Sequence, residues 1–241
     1  MRKWHELTSV EIDGLIQAGF ETAFLPFGSI EQHGKHLCVS YDTLIAERLC
    51  EDIGITLEKS FLLPTIPFGL SDHHDEFKGT LTFSYKTIES LFDDLITSLE
   101  KNGLKSLIII NGHGGNYPFL KKYFEQKKTS LKVFHDAEEQ YIFKAQLMDS
   151  NLPRSELGLH GGLYETSMAL YTHPKMVRTE FMNYQNKYTE MHSIQDILSN
   201  GLKKYYAEGI IGEPKNSNIE LGKAFYDYLT SFYLKELHDQ K

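Results

Sequence analysis

The sequence predicts an α/β fold: a single domain of 241 residues with a mostly parallel sheet that is flanked by helices on both faces. Residues 107–110 form a continuous apolar run of strand length, which is typical of a parallel strand buried on both faces. Runs of this kind alternate along the chain with helix-spaced apolar patterns, as expected of βαβ units. No linker, internal repeat or low-complexity tract divides the chain.

The predicted elements follow one another in this alternating order. Strands are expected at residues 23–27, 61–66, 81–83, 106–110 and 131–134, and helices at 42–53, 86–101, 117–128 and 218–238. The helix over 86–101 has the clearest pattern, because its apolar residues form one stripe and Gly103 follows as a stop. Residues 172–215 contain methionine and aromatic side chains without a clear period, so their structure is not predicted.

Composition excludes several classes of function. The formal net charge of −8 argues against a surface for nucleic acid or acidic membranes. No stretch approaches the roughly 18 apolar residues of a membrane span, and the basic N-terminus lacks the apolar segment of a signal peptide. Cys38 and Cys50 give no disulfide framework. A cytoplasmic location is therefore expected.

Imidazole and carboxylate groups are concentrated directly after the first predicted strand. Within twelve residues the chain carries Glu31, His33, His36 and Asp42. The carboxyl ends of strands are where open α/β sheets place their ligand sites. Glu31 and His33 are two residues apart, so on an extended segment both side chains point the same way. This mixture of groups suits zinc, manganese or iron rather than calcium.

A second cluster, Asn111-Gly112-His113-Gly114-Gly115-Asn116, follows the apolar strand at 106–110. Three glycines around one histidine are costly unless the backbone needs unusual dihedral angles or a close approach. The alternative is an ordinary strand-to-helix turn in which Asn116 caps the next helix. A cap alone does not explain the histidine between glycines, so His113 is a candidate metal ligand.

A third cluster begins at His160 and Gly161 and continues to Glu165. If a helix starts near Gly161, Glu165 lies in its first turns. The alternative is that this acid only complements the positive end of the helix dipole. His160 is a candidate general acid or base, because the unperturbed pKa of histidine lies near neutrality.

These clusters, in this order, resemble the signature motifs of the creatininase (creatinine amidohydrolase) family. The matching motifs are Glu31-x-His33-Gly34-x-His36-Leu37 with Asp42, Asn111-Gly112-His113-Gly114-Gly115-Asn116, and His160-Gly161-x-x-x-Glu165-Thr166-Ser167. A fourth stretch, His74-x-x-Phe77-x-Gly79-Thr80-Leu81-Thr82, is similar to a further family region. Four ordered motifs are a far more specific signal than any one of them.

The resemblance implies a metal-dependent amidohydrolase with an α/β fold, a pair of divalent metal ions per chain and, in many members, a hexameric assembly. Carried over residue by residue, it implies that Glu31 and His113 bind one metal ion and that His33 binds the other. Asp42 would bridge the two ions. A homohexamer that acts on a small-molecule amide is therefore expected.

The last ligand of the second ion marks a departure from creatininase itself. The pattern of creatininase itself has an acid at the position that Gly115 occupies here. Glycine has no side-chain atom that could coordinate a metal. Members with the Gly-Gly form use the glutamate of the third motif, here Glu165. The departure weakens the case for creatinine as the substrate. His160 is the expected proton donor, and His36 and His74 are expected to orient substrate or metal ligands through hydrogen bonds.

The predicted activity is hydrolysis of a non-peptide amide, such as a lactam, a cyclic amide or a formamide. A water that bridges two divalent ions is deprotonated near neutral pH and would attack the carbonyl carbon. Within the family, a peptidase acting on a modified peptide, as in mycofactocin maturation, is the alternative. Outside the enzyme class, the alternative is a metal-binding assembly protein, which the full set of ligands disfavours. Phosphoester hydrolysis would need more basic residues than Lys35 and Lys78 near the metals.

Overall fold

The computed structural model describes residues 1–135, 157–185 and 192–239. Two compact units are distinguished within these residues. The first consists of residues 1–29, 42–70 and 83–135, and the second of residues 30–41, 71–82, 157–185 and 192–239. The expectation that the whole chain forms one domain stays a prediction.

The first unit contains a five-stranded sheet in which all neighbouring strands are parallel. In spatial order β1-β3-β2-β4-β5, its strands are Arg2–Lys3 (β1), Ser60–Leu62 (β3), Thr22–Phe27 (β2), Ser106–Asn111 (β4) and Lys132–His135 (β5). The central pair, β2 and β4, is in register from Thr22 opposite Ser106 to Phe27 opposite Asn111. The parallel sheet of an α/β fold is thus confirmed.

Two predicted strands differ from the structure. The strand expected at 61–66, with breaks at Pro64 and Pro67, is regular only as far as Leu62, and Ile66 then makes an isolated parallel bridge with Phe27. The strand expected at 81–83 is wrong: Leu81 makes only an isolated antiparallel bridge with Ile30. Alternation over three residues does not distinguish a strand from a single bridge.

The helices of this part of the chain are Ser9–Gln17 (α1), Tyr41–Gly54 (α2), Tyr85–Lys101 (α3) and Tyr117–Gln126 (α4). The last three confirm the predicted helices. Helix α1 was not predicted, although its sequence carried a signal. Thr8 and Glu11 form a reciprocal capping box, whose Thr-x-x-Glu spacing is readable directly from the chain.

Helices cover the two faces of the sheet, as predicted. Side chains alternate along a strand, so Leu25 and Phe24 point to opposite faces of β2. Leu25 belongs to the main apolar cluster together with Phe92 of α3, the helix with the predicted stripe. Leu49 of α2 is fully buried but lies outside this cluster, as expected of a helix on the other face.

In the second unit, the described helices are Leu163–Thr172 (α5), Ile194–Asn200 (α6) and Ile219–Asp239 (α7). Helix α7 confirms the prediction for 218–238. It packs closely on α5, because Gly222 lets the two backbones approach: a Cβ there would lie 1.9 Å from the carbonyl oxygen of Ser167. Among the described residues, no helix is long and apolar enough to cross a membrane.

Candidate metal centre

In the first unit, the carboxyl ends of β2 and β4 lie side by side, with Phe27 paired to Asn111. Strand β4 runs directly into Gly112, where a Cβ would stand 2.1 Å from the carbonyl oxygen of Asp42. Any other residue would force the start of α2 away from the strand end. The glycine provides a close approach rather than an unusual dihedral angle, since its φ is not positive.

The close approach brings His113 next to Asp42. The Nδ1 atom of His113 lies 3.2 Å from Oδ2 of Asp42, and both side chains are buried. The Nε2 atom of the same ring lies 3.0 Å from the carbonyl oxygen of Leu70, which can only accept, so Nε2 carries a hydrogen. The lone pair of a neutral His113 is therefore on Nδ1 and faces the carboxylate. Two such acceptors need a cation or a proton between them.

Asn116 does not cap α4, so that alternative is wrong. Its backbone is already in the helical region, whereas a capping residue is usually extended. Its side chain instead donates to the carbonyl oxygen of Gly28 and to Oδ1 of Asn111, at 3.0 Å each. It also accepts a hydrogen bond from the N–H of Leu70 at 3.0 Å. Asn116 thus ties together the loops that follow the strands.

In the second unit, five of the predicted site residues come together. Oε1 of Glu31 lies 3.6 Å from Nε2 of His74, 3.6 Å from Nδ1 of His160 and 4.0 Å from Nε2 of His33. Nε2 of His33 also lies 3.8 Å from Oε2 of Glu165. Two groups therefore have all their ligand atoms within 4.8 Å of one another: Glu31, His74 and His160, and His33, His160 and Glu165.

Hydrogen bonds to backbone carbonyls orient two of these imidazoles. Nδ1 of His33 lies 3.1 Å from the carbonyl oxygen of Glu31, and Nε2 of His160 lies 2.6 Å from that of Gln32. Each of these nitrogens carries a hydrogen, since a carbonyl only accepts. The opposite nitrogen of each neutral ring has the lone pair and faces a carboxylate. Histidines that bind metals usually show this arrangement, which His113 shares.

The donor atoms fit a divalent transition metal. Nitrogen-to-oxygen distances of 3.6–4.0 Å exceed those of hydrogen bonds. Two ligand atoms that each lie about 2.0–2.1 Å from a tetrahedral zinc ion are about 3.3 Å from each other. The observed distances are nearer to this value than to the length of a hydrogen bond. Buried carboxylates that face lone pairs are costly without a cation, and a set of imidazole and carboxylate ligands favours zinc, manganese or iron.

Glu165 lies where it can act both as an acid at a helix start and as a metal ligand. Helix α5 begins at Leu163, with Gly162 as its N-cap, so Glu165 is in the first turn. Its Oε2 atom accepts a hydrogen bond from the N–H of Gly161 at 2.6 Å, as expected of an acid at a helix start. The same oxygen is the one that faces His33. A helix-terminal role and a metal-binding role are therefore geometrically compatible.

His36 differs from the other histidines of the motifs. Its Nε2 atom lies 2.8 Å from the hydroxyl oxygen of Thr166, and it belongs to neither group of candidate ligands formed by the second unit's described residues. Burial, together with repulsion from His33, lowers the pKa of His36 from 6.5 to about 4. The ring is therefore neutral at pH 7, and its contact with Thr166 supports the turn that carries Glu165.

Sequence reasoning missed Gln32. Its side-chain Nε2 atom lies 3.1 Å from Nδ1 of His74 and 3.2 Å from Nε2 of His160. The only sequence signal was its position between Glu31 and His33, which on a strand would turn it to the opposite side. The segment is irregular, with a positive φ of 68° at Gly34, so simple alternation does not apply.

A comparison with protein-family models supports the resemblance read from the motifs. Residues 5–237 match the family Creatininase, described as creatinine amidohydrolase. The chain belongs to the creatininase family. The match runs through both units and includes all the motif residues described above.

Curated relatives of this creatininase family member carry different names. Creatinine amidohydrolase of Pseudomonas putida is 26% identical over 71% of this chain and 72% of its own length. Mycofactocin precursor peptide peptidase of Mycobacterium tuberculosis is 26% identical over 84% of this chain and 78% of its own length. A 2-amino-5-formylamino-6-ribosylaminopyrimidin-4(3H)-one 5'-monophosphate deformylase of Methanobrevibacter ruminantium is 27% identical over 58% of this chain and 53% of its own length.

Solved structures of creatininase share the fold. A crystal structure of creatinine amidohydrolase (creatininase) has a TM-score of 0.83 and 21% identity, covering 99% of this chain and 97% of its own. A mutant creatininase of a Zn-Zn type covers 99% of this chain and 97% of its own, with 20% identity. A structure named creatininase Mn covers 99% and 98%, with 21% identity, and both have a TM-score of 0.80.

These findings confirm the predicted reaction class. The chain is a creatininase-family hydrolase of carbon–nitrogen bonds other than peptide bonds. They also bear on the metal, because creatininase structures are named for zinc or manganese and this chain brings together residues able to bind such ions.

Proposed function

We propose that this protein hydrolyses the carbon–nitrogen bond of a small-molecule amide, such as a lactam, a cyclic amide or a formamide, with the help of divalent metal ions. The observation that carries the proposal is the convergence of buried imidazole and carboxylate atoms around Glu31 at 3.6–4.0 Å. The proposed ligands are Glu31, His33, Asp42, His113 and Glu165.

Two ions per chain are proposed, of zinc, manganese or iron. Family membership and the tautomers of His33 and His113, each of which turns a lone pair toward a carboxylate, support this proposal. A divalent ion, when bound, lowers the pKa of water and polarises a carbonyl group. The buried acids hold the negative charge that retains such ions.

His160 is proposed to move a proton through its Nδ1 atom. Its Nε2–H is engaged by the carbonyl oxygen of Gln32, so a neutral ring exposes only the Nδ1 lone pair to the reacting groups. Nδ1 can take a proton as the nucleophile forms and return it to the departing amine. Glu31, 3.6 Å from this atom, stabilises the positive charge that the ring carries in between.

The proposed substrate class is based on the type of bond that relatives of this chain cleave. The names of two relatives describe an amidohydrolase of creatinine and a deformylase, and neither name is that of a peptidase. Creatinine itself is not favoured, because Gly115 replaces the acid of the creatininase pattern.

A screen with metal-supplemented protein tests this proposal. Creatinine, lactams, formamides and short peptides are incubated with protein loaded with zinc, manganese or iron, and loss of substrate and formation of hydrolysed product are measured by mass spectrometry. We expect turnover of at least one non-peptide class and none of the peptides. Turnover of peptides alone, or no turnover by protein of measured metal content, would contradict the proposal.

A cytoplasmic homohexamer of single-domain subunits is also proposed, on family resemblance. Light scattering at micromolar concentration should give a mass of about six chains. A monomer under these conditions would contradict the assembly. If the two units form one domain, the dissociated monomer should unfold in a single transition. Different spectroscopic probes should then give the same midpoint.

A further inference from the structure

The side-chain amide of Gln32 is held by two backbone groups of the second unit. Its Oε1 atom accepts a hydrogen bond from the N–H of Gly34 at 2.9 Å, and its Nε2 atom donates to the carbonyl oxygen of Gly209 at 3.0 Å. A backbone N–H only donates and a carbonyl only accepts, so the two ends of the amide are assigned without ambiguity. One N–H of Gln32 remains for another partner.

That second N–H has two imidazole nitrogens within reach, Nδ1 of His74 at 3.1 Å and Nε2 of His160 at 3.2 Å. Nε2 of His160 carries a hydrogen, because it lies 2.6 Å from the backbone carbonyl oxygen of Gln32. It therefore cannot accept. The amide donates to Nδ1 of His74, and a neutral His74 must carry its own hydrogen on Nε2.

We propose that Gln32 is a positioning residue that sets the tautomers of His74 and His160 where both rings face Glu31. The side chain sets His74 and the backbone carbonyl sets His160. The protonated Nε2 atom of His74 and the unprotonated Nδ1 atom of His160 then each lie 3.6 Å from Oε1 of Glu31. One ring offers a hydrogen and the other a lone pair. Only the use of this difference in catalysis rests on the proposed role of His160 in proton transfer.

Gly209 provides the space that the amide needs. A Cβ at this position would lie 2.1 Å from Oε1, 2.4 Å from Cδ and 2.6 Å from Nε2 of Gln32. Its φ of 71° adds a backbone reason for glycine. Any side chain at residue 209 would therefore displace the amide from the contact with His74.

The first test reads the tautomers directly by nitrogen-15 NMR of histidine-labelled, metal-free protein at a pH where both rings are neutral. In the wild type, we expect His74 to carry its hydrogen on Nε2. Gln32→Met removes the amide, so His74 should become a mixture of tautomers. Gln32→Glu offers an acceptor instead and should place the hydrogen on Nδ1. His160 keeps its backbone partner in both variants and is the internal control.

The proposal is overturned if His74 in folded Gln32→Met and Gln32→Glu proteins keeps the wild-type tautomer. Resonances of His74 are identified from their loss in His74→Asn. Since the measurement uses no metal and no substrate, its outcome does not depend on the proposed function.

The second test is a double-mutant cycle on stability, read as shifts of the urea midpoint of metal-free protein. Gly209→Ala should lower the midpoint strongly in the wild type but less in a Gln32→Ala background, where no amide is displaced. Gly103→Ala is the matched control, because Gly103 also has a positive φ of 86° but a Cβ there would meet only Ile16 at 3.7 Å. Its effect should be equal in both backgrounds. Equal effects of Gly209→Ala in both would refute the role of Gly209.

Activity gives a third readout once a substrate is known. Gln32→Met should lower kcat by about 10–100-fold while metal content and KM change little, because the ring orientations, not the ligands, are altered. An unchanged kcat would contradict a positioning role. If the protein hydrolyses no amide at all, the proposed function fails while the NMR result and the cycle still decide the role of Gln32.

Discussion

The Nδ1 atom of His160 lies 3.6 Å from Oε1 of Glu31, and both side chains are buried. A neutral imidazole and a carboxylate at this distance form neither a hydrogen bond nor a simple ion pair. Because the Nε2–H of His160 donates to a backbone carbonyl, Nδ1 is the ring nitrogen that faces Glu31. This assignment gives the first prediction.

His160→Ala should lower kcat by about 10²–10⁴-fold, the usual contribution of a positioned acid or base, without loss of metal. The measurements are steady-state kinetics over pH and elemental analysis of the same sample. His238→Ala, at an exposed position, is the control and should change neither. A loss of metal in His160→Ala would instead identify Nδ1 as a ligand and remove the proposed proton transfer.

Asp42→Ala should cause the largest loss of metal among the ligand variants, because the proposed bridge contacts both ions. Elemental analysis after reconstitution with zinc or manganese checks this. Asp52→Ala is the matched control on the same helix, since Asp52 makes a half-exposed pair with Arg48 that is worth about 0–1 kcal/mol. Full metal content in Asp42→Ala would exclude the bridging role.

Stability of the metal-free protein should depend on the protonation of His36. Burial lowers its pKa to about 4 from 6.5, so between these values the unfolded chain binds a proton that the folded chain does not. The free energy of unfolding therefore rises with pH through this window and falls by up to about 3 kcal/mol as pH drops from 6.5 to 4.

Urea unfolding of wild type and His36→Gln from pH 4 to pH 8 tests this dependence, because their difference cancels the other titrating groups. We expect a difference that changes below pH 6.5 and is constant above it. His238→Gln serves as the exposed control. A constant difference across the whole range would show that His36 takes up its proton equally in both states.

Two glycines of one loop should respond in opposite ways to alanine. Gly112→Ala places a Cβ 2.1 Å from the carbonyl oxygen of Asp42 and should destabilise the fold by about 1–3 kcal/mol. Gly114→Ala meets nothing within 4 Å and should leave stability unchanged or raise it by up to about 1 kcal/mol. Thermal unfolding of both variants measures the contrast. Similar losses would mean that the loop needs glycine for its dihedral angles.

The sequence carried enough information for the central sheet because its signals are local. The apolar run of β4 and the stripe of α3 each define their element without reference to the rest of the chain. Helix α6 has seven residues, too few for a reliable period. Pro64 marks the end of regular β3 in the sequence, but the bridge between Ile66 and Phe27 beyond it depends on the neighbouring strand, which local patterns do not report.

At the candidate site, the residue types were predictable and their orientations were not. Imidazoles and carboxylates that follow strand ends indicate a metal site from the sequence alone. The tautomers of His113 and His160 depend on carbonyl groups far away in the chain: Leu70 is 43 residues from His113, and Gln32 is 128 residues from His160. Only the fold brings such partners together.

The substitution Glu165→Gln tests the consequence of the departure from the creatininase pattern at Gly115. Without an acid there, His33 and Asp42 leave the second ion one ligand short of the three that catalytic zinc sites typically keep. Glu165→Gln should therefore reduce metal from about two ions to about one per chain and abolish hydrolysis.

Glu220→Gln is the matched control, since Glu220 is also an acid in the first turn of a helix, α7. Loss of a charge at either helix start should cost only about 0.3–1 kcal/mol of stability. If Glu165 acts solely at the helix start, the two variants will behave alike, with full metal content and activity. Metal loss confined to Glu165→Gln separates the ligand from the cap, because glutamine still accepts the hydrogen bond from the N–H of Gly161 but carries no charge to hold an ion.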